Sequence, residues 1–271
     1  MPIITLITDF GTQDYFVGAM KGVILSINAA ASIVDLTHDI PPQDIESAAF
    51  NLLACYRDFP AGTIHVAVVD PGVGSQRRAI AIESARQFFV GPDNGLFSWI
   101  CEREGKYAAR EVTNEKFFRT PVSTTFHGRD VFAPVAAHLS NGAQLEDVGP
   151  ALKSIVSAQT LSPVITTEVV EGRIVHIDRF GNCITNLTAA HFDGRLGAGA
   201  TLKVNQEQVS GFRQFFSQPK RSNDEDVFMI IGSAGFVEIA AQNCSAASIL
   251  NVRRGDLVTL TRASEWIKSR S

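Results

Sequence analysis

The feature that most constrains this chain is a change of period. Over its first half, β-branched runs alternate with stretches of helical spacing. IITLIT (3–8) precedes VGAMKGVILSIN (17–28), and SIVDLT (32–37) precedes QDIESAAFNLLACYRDF (43–59). TIHVAVVD, AIAIES and QFFVGPDNG supply further strand runs, and APVAAHLSNG reads as a helix that stops at Gly142. Pro41-Pro42 suits the start of the second helix. This rhythm predicts a mostly parallel sheet with helices on both faces. Near residue 160 it ends. TTEVVEGRIVHIDRFGNCITNLT, GATLKVNQEQVSGF, FMIIGSAGFVEIAA and RRGDLVTLTR are short β-rich runs broken by Gly, Asn and Asp. They predict an all-β unit of sandwich or small-barrel type. The boundary falls within 158–166, dividing an N-terminal α/β domain (1–160) from a C-terminal β-barrel domain (161–271).

Composition narrows the function. Among 271 residues, 45% are hydrophobic and 19% charged, as in ordinary globular proteins. A net charge of −4 gives no basic face for nucleic acid, and Arg77-Arg78 and Arg253-Arg254 are too short to make one. The fifteen-residue run VFMIIGSAGFVEIAA contains Glu238 and falls short of the ~20 residues of a membrane span, so it reads as buried core. MPIITLITDF has no basic leader region and reads as a first strand. Cys55, Cys101, Cys183 and Cys244 show neither zinc nor disulfide spacing. The expectation is a soluble cytoplasmic protein with no membrane partner.

In a parallel α/β sheet, ligands bind beyond the carboxyl ends of the strands. Four strand runs end in acidic, imidazole or amide groups beside Gly or Pro: Asp9 in ITDFG, His38-Asp39 in LTHDIPP, Asp70 in VVDPGVG, and Asp93-Asn94 in VGPDNG. Each alone reads as an Asx-type turn or a helix cap, but four of them at one edge would converge on one rim. TTFHGRDVFAP adds His127 and Asp130 just ahead of a helix signal, where Asp130 can also serve as its cap. In the β-rich half, HIDRFGNCITN holds Asp178, Phe180, Asn182 and Asn186 around a Gly turn. A hairpin explains that spacing, and so does a site that stacks and edge-bonds a planar heterocycle. GSAGFVEIA places Ser233 and Glu238 along a strand.

Several chemistries lack their signatures. No GxGxxG opens a helix, no GxxxxGK[ST] phosphate loop occurs, and DPGVGSQRRA runs into the strand-like AIAIES. There is no GxSxG nucleophile elbow. Asp9, His38, Asp39, Asp70 and His127 suit a divalent metal by type, but no close ligand spacing supports one, and no metal is expected.

ITDFG, THDIPPQD, VVDPGVGSQRRAI, GPDNGL, TFHGRDVFAP, IDRFGNCITN and GSAGFVEIA occur here in the same order as in the S-adenosyl-L-methionine hydroxide adenosyltransferases, relatives of the fluorinases and chlorinases. The chain resembles that family along nearly its whole length. The resemblance implies an N-terminal α/β domain joined to a C-terminal β-barrel. It also implies a homotrimer whose active sites lie between the N-domain of one subunit and the C-domain of the next. It carries a catalytic Asp-Arg-His triad onto Asp70, Arg77 and His127. Substrate-binding roles fall on Asp9 (ribose hydroxyls), Phe180 and Asn182 (adenine), Asp178, Ser233 and Glu238 (methionine end), and the backbone at Ala246 (adenine edge). Asn94 is counted with them. Where many relatives have Gly-Asn-Ala, this chain has Cys244-Ser245-Ala246.

The implied reaction is attack of water or hydroxide on the 5′ carbon of S-adenosyl-L-methionine, which is the substrate, so no cofactor is expected. The halogenating relatives carry an aromatic residue at the position of Asp70 and lack the arginine at 77, and Gln43 replaces a tryptophan of the fluorinating enzymes. Two alternatives stand beside the hydrolase: a halide-dependent adenosyl transferase, and a non-catalytic S-adenosylmethionine or adenosine-binding protein. In the hydrolase, Asp70 and His127 would hold one water while Arg77 orients Asp70.

Overall fold

The computed structural model describes residues 1–192, 194, 196, 200–218 and 226–261; the remainder of the domain expected at 161–271 lies outside them. The described residues fall into two compact units, divided between Thr160 and Leu161.

In chain order the first unit contains β1 (Ile3–Thr8), α1 (Phe16–Ile27), β2 (Ser32–Thr37), α2 (Ile45–Cys55), β3 (Ile64–Val68), β4 (Ala79–Ser84), β5 (Gln87–Pro92), α3 (Ser98–Glu104), β6 (Ala108–Glu111) and α4 (Ala133–Ser140). The six strands form one sheet in the order β2-β1-β3-β5-β4-β6. Its β2-β1-β3-β5 part is parallel. β4 runs antiparallel to both β5 and β6, which a simple strand-helix alternation does not foresee. The reason is local: Ala85 and Arg86, both at positive φ, turn β4 straight into β5, the two-residue hairpin geometry whose twist matches that of the strands.

Helix α1 buries Val17, Met20 and Ile24, a spacing that keeps one stripe on the sheet. It packs on α4, while α2 packs on α3. Right-handed crossovers put α1 and α2 on opposite faces of the sheet. Asp44 caps α2 by accepting from Ser47 N at 3.0 Å. Ile4, Leu6, Val66, Val68 and Val90 meet Met20, Ile24, Phe132, Val135 and Ala136 in one buried core.

The second unit contains β7 (Val164–Ile165), β8 (Val169–Ile177), β9 (Cys183–Thr188), β10 (Leu202–Val204), β11 (Glu207–Val209), β12 (Val227–Ile231), β13 (Phe236–Ala241), the short helix α5 (Ala246–Ile249) and β14 (Leu257–Thr261). Its strands are ordered β11-β10-β14-β8-β9-β13-β12, with β7 on β8, and every pairing is antiparallel. Just after β11, residues 211–213 bond to Met229 of β12, so the sheet curls into a nearly closed barrel. Closing the sheet removes the exposed edges that invite mispairing. Val170, Ile174, Leu202, Met229, Val237, Ile239 and Val258 fill its interior. The apolar run 227–241 forms β12 and β13, a buried hairpin.

Candidate functional site

The parallel strands β1, β3 and β5 end on the same edge of their sheet, and the next residues carry the polar groups. Asp9 follows β1, Asp70 lies two residues beyond β3, and Asn94 lies two beyond β5. The segment from Asp70 to Arg77 doubles back on itself. Gly74, at φ 75°, makes that possible: a Cβ there would lie 2.4 Å from the Thr124 carbonyl oxygen, so only glycine lets the turn press against the loop that carries His127.

The result is a three-residue constellation. Arg77 Nε donates to both Asp70 carboxylate oxygens at 3.0 Å, and Nη2 donates to Asp70 and, at 2.8 Å, to His127 Nδ1. The Asp70 and Arg77 side chains are only 5% and 12% exposed. Arg77 also lies over the Phe132 ring, 5.3 Å from its centroid. A guanidinium has no acceptor, so His127 Nδ1 must present its lone pair and the neutral ring carries its proton on Nε2. Burial, and then the Arg77 charge, push the His127 pKa below its ordinary value, with Asp70 and Asp130 acting in the opposite sense. Asp70 and His127 line a cavity of about 450 Å³ together with Asp9, Phe10, Phe16, Gln43, Phe126 and others, while Arg77 stands behind them. Gln43, at φ 65°, donates its backbone N–H to Asp9 Oδ2 at 2.8 Å, and Oδ1 has no hydrogen-bond partner among the described residues.

The second unit has a separate cavity of about 790 Å³, lined by Asp178, Phe180, Asn182, Ser233, Glu238 and Ser245 among others. Asp178 shapes its wall. Oδ1 accepts from the backbone N–H groups of Phe180 and Asn182, each at 2.9 Å, and Oδ2 accepts from Asn182 Nδ2 at 2.8 Å. This Asx-type turn, completed by Gly181 at φ 82°, tips Phe180 outward, where it is 77% exposed. Such an exposed ring at a cavity rim can stack on a planar ligand. Burial, then the nearby Asp178 charge, raise the Glu238 pKa to about 6. Its carboxylate lies against Gly232, where any Cβ would collide with it.

Other sequence candidates sit differently. Asn94 lies outside both cavities: its Nδ2 holds the Val69 carbonyl at 2.8 Å and its Oδ1 accepts from Leu96 N. Ala246 is fully buried in the barrel core, main chain included, with its carbonyl accepting from Leu250 N at 3.0 Å, and it lines neither cavity. Asp93 pairs with Arg78 and accepts from Val156 N at 2.7 Å, a structural tie. His38 bonds Thr8 Oγ1 at 2.9 Å and faces Asp35 at 3.1 Å. Asp130 is no helix cap. It lies inside a π-helical turn, Gly128–Phe132, and pairs with Arg119 and Arg129. No group of three or more His, Cys, Asp or Glu gathers as metal ligands among the described residues. Nor is any of their helices long and apolar enough to cross a membrane. Val73, Thr125 and Phe126, inside the VVDPGVG and TTFHGRDVFAP motifs, also line the first cavity, whereas Phe16 there and Phe216, Gln242 and Asn243 in the second belong to no motif.

Fold and site together define a two-domain protein, an α/β sheet with an Asp-Arg-His cluster at its carboxyl edge followed by an antiparallel barrel. Profiles for the SAM hydroxide adenosyltransferase N-terminal domain and C-terminal domain match residues 4–149 and 172–259. The chain belongs to the SAM hydroxide adenosyltransferase family. It is 37% identical to an (R)-S-adenosyl-L-methionine hydrolase of Salinispora arenicola, over 96% of this chain and 98% of that protein. It is 29% identical to a fluorinase of an Actinoplanes species, over 97% of this chain and 98% of that one. A crystal structure of an uncharacterized conserved protein from Thermotoga maritima superposes with a TM-score of 0.88 at 35% identity, covering 96% of this chain and 100% of that one.

Proposed function

We propose that this protein hydrolyses S-adenosyl-L-methionine to adenosine and L-methionine. The observation that carries the reading is the Arg77 guanidinium bonded at once to Asp70 and His127 beside a cavity. Polar residues at 70 and 77 favour water over halide as nucleophile. The identities to proteins named (R)-S-adenosyl-L-methionine hydrolase, higher than those to fluorinases, point the same way.

The chemistry follows from the groups. The 5′ C–S bond breaks with its electron pair going to sulfur, so a cation becomes a neutral thioether and no acid is needed to help it leave. The difficulty is the nucleophile: one water must lie in line with that bond, and positioning alone is worth several kcal/mol. His127 donates Nε2–H to the water oxygen and fixes its place. Asp70 accepts the water proton as the C–O bond forms, and the proton then passes to solvent. Arg77 holds both partners in these roles. The reaction as written uses no metal and no cofactor.

Asp9 takes the ribose hydroxyls through Oδ1. Phe180 and Asn182 take the adenine. Asp178, Ser233 and Glu238 take the methionine end, and Asn94 acts through the end of β3. The assembly is a homotrimer, each active site drawing its α/β residues from one copy and its barrel residues from another, in the cytoplasm. Incubation with S-adenosylmethionine, with and without chloride, followed by chromatography, tests the reaction. Adenosine in both conditions is expected. A 5′-chloro nucleoside would favour halide transfer, and no product at high enzyme concentration would leave a binding protein.

A further inference from the structure

We infer that Asp130 is a positioning residue, whose buried carboxylate clamps the 119–130 loop so that His127 presents Nδ1 to Arg77. Residue 130 is completely buried and lines neither cavity. Its Oδ1 accepts from Arg119 Nη1 at 3.1 Å and Arg129 Nε at 2.7 Å. Oδ2 accepts from Arg129 Nη2 at 2.8 Å and from the Ser123 backbone N–H at 2.9 Å. The main chain closes the ring, since Arg119 N donates to the Asp130 carbonyl at 2.9 Å and Asp130 N to the Phe126 carbonyl at 3.1 Å. The donors thus come from the start, the middle and the end of a loop whose residues 119–126 form no helix or strand. Arg129 also covers the Phe126 ring at 5.0 Å, next in sequence to His127. A π-helical turn follows at once, a feature frequent at functional sites. Buried ion pairs can often be replaced by apolar residues without loss of stability. What this cluster supplies is therefore a single loop geometry rather than energy.

The inference rests on the proposed hydrolase reading for its effect on rate, and the test keeps the two apart. Asp130→Asn removes one acceptor oxygen and turns an amide N–H₂ toward the arginines. The His127 ring is followed by nitrogen-detected NMR in the full-length protein across pH, alongside kcat and KM for S-adenosylmethionine. In the native protein the ring should be neutral with its proton on Nε2 and should titrate below 6.5, the ordinary histidine value. In Asp130→Asn the ring should leave Arg77, become a mixture of tautomers and titrate closer to 6.5, with kcat falling ~10²-fold and KM near native. Arg77, Asp70 and Asp130 are the charges that face His127, so losing the Asp130 charge alone would move the titration the other way, downward. A downward move, or an unchanged ring in the folded variant, overturns the clamp. If Asp130→Asn fails to fold, Arg119→Gln, which removes one donor at a 44% exposed side chain, is read in the same way. A displaced ring in a protein that forms no adenosine would count against the hydrolase reading alone.

Discussion

Removing Arg77 should uncouple stability from activity in a way that only a charge-bridging role explains. In Arg77→Met the aliphatic stem is largely kept, but the guanidinium over Phe132 is lost and Asp70 and His127 lose their common donor. Taking one partner from a fully buried pair costs about 3–5 kcal/mol. The Asp70 side chain is 5% exposed yet borders a cavity, where water can partly replace the guanidinium, so about 2–3 kcal/mol is the better figure here. For a unit the size of Met1–Thr160, each kcal/mol moves Tm by ~2–4 °C, so Tm should fall by about 4–12 °C. Adenosine formation should drop to background. Adding Asp70→Asn removes the stranded charge, so the double variant should regain more than half of the lost Tm and none of the activity. Circular dichroism melts of the two variants and the native protein, with adenosine chromatography on each, make the test. A double variant as unstable as Arg77→Met, or an Arg77→Met melt within about 1 °C of native, would refute the reasoning.

Four further outcomes follow from the geometry. The acid limb of kcat/KM should lie below pH 6.5, because the His127 pKa is depressed by burial and Arg77; the ring keeps its neutral, accepting form until the pH falls through that lowered value. Stability should fall between pH 6.5 and 4, by about 3 kcal/mol, because burial lowers the His65 pKa to about 4 while the unfolded chain takes up that proton near 6.5; urea midpoints of native and His65→Gln protein at pH 7 and 4.5 should converge if this is so. Gly74→Ala should cost ~1–3 kcal/mol in chemical denaturation and slow turnover, since its φ of 75° and the 2.4 Å approach to Thr124 leave no room for a Cβ. Phe180→Ala should leave Tm unchanged, as the ring is 77% exposed, but raise KM about 10- to 100-fold if the ring stacks on adenine.

Much of this architecture was legible. The β-branched runs at Ile3, Ser32, Ile64 and Ala79 became strands, and the Gly-turned hairpin in HIDRFGNCITN formed around Asp178 and Gly181. Periodicity reports burial of a face, so it serves such elements well. It says little about pairing direction. The β4-β5 turn is Ala85-Arg86, not the Asn-Gly that announces a hairpin, so the antiparallel edge was hidden. Helix α3 is too short, at seven residues, to show a period. At the site, the strand-end rule picked out Asp9 and Asp70, but spacing and turn chemistry do not tell Arg77 from Arg78, and only the family resemblance singled out Arg77. Three-dimensional closure sends the first to Asp70 and His127 and the second to Asp93. Asp130 misled because its partners Arg119 and Ser123 precede it by eleven and seven residues, and a loop closed by its own side chain has no local signature.

The central claim is that water attacks the 5′ carbon of S-adenosylmethionine. Turnover in ¹⁸O-enriched water, with mass spectrometry of the nucleoside, measures that step directly. The account predicts adenosine carrying one ¹⁸O in its 5′-hydroxyl, in amounts equal to the methionine released. Adenosine without label, a 5′-halo nucleoside, or no nucleoside at all would contradict it.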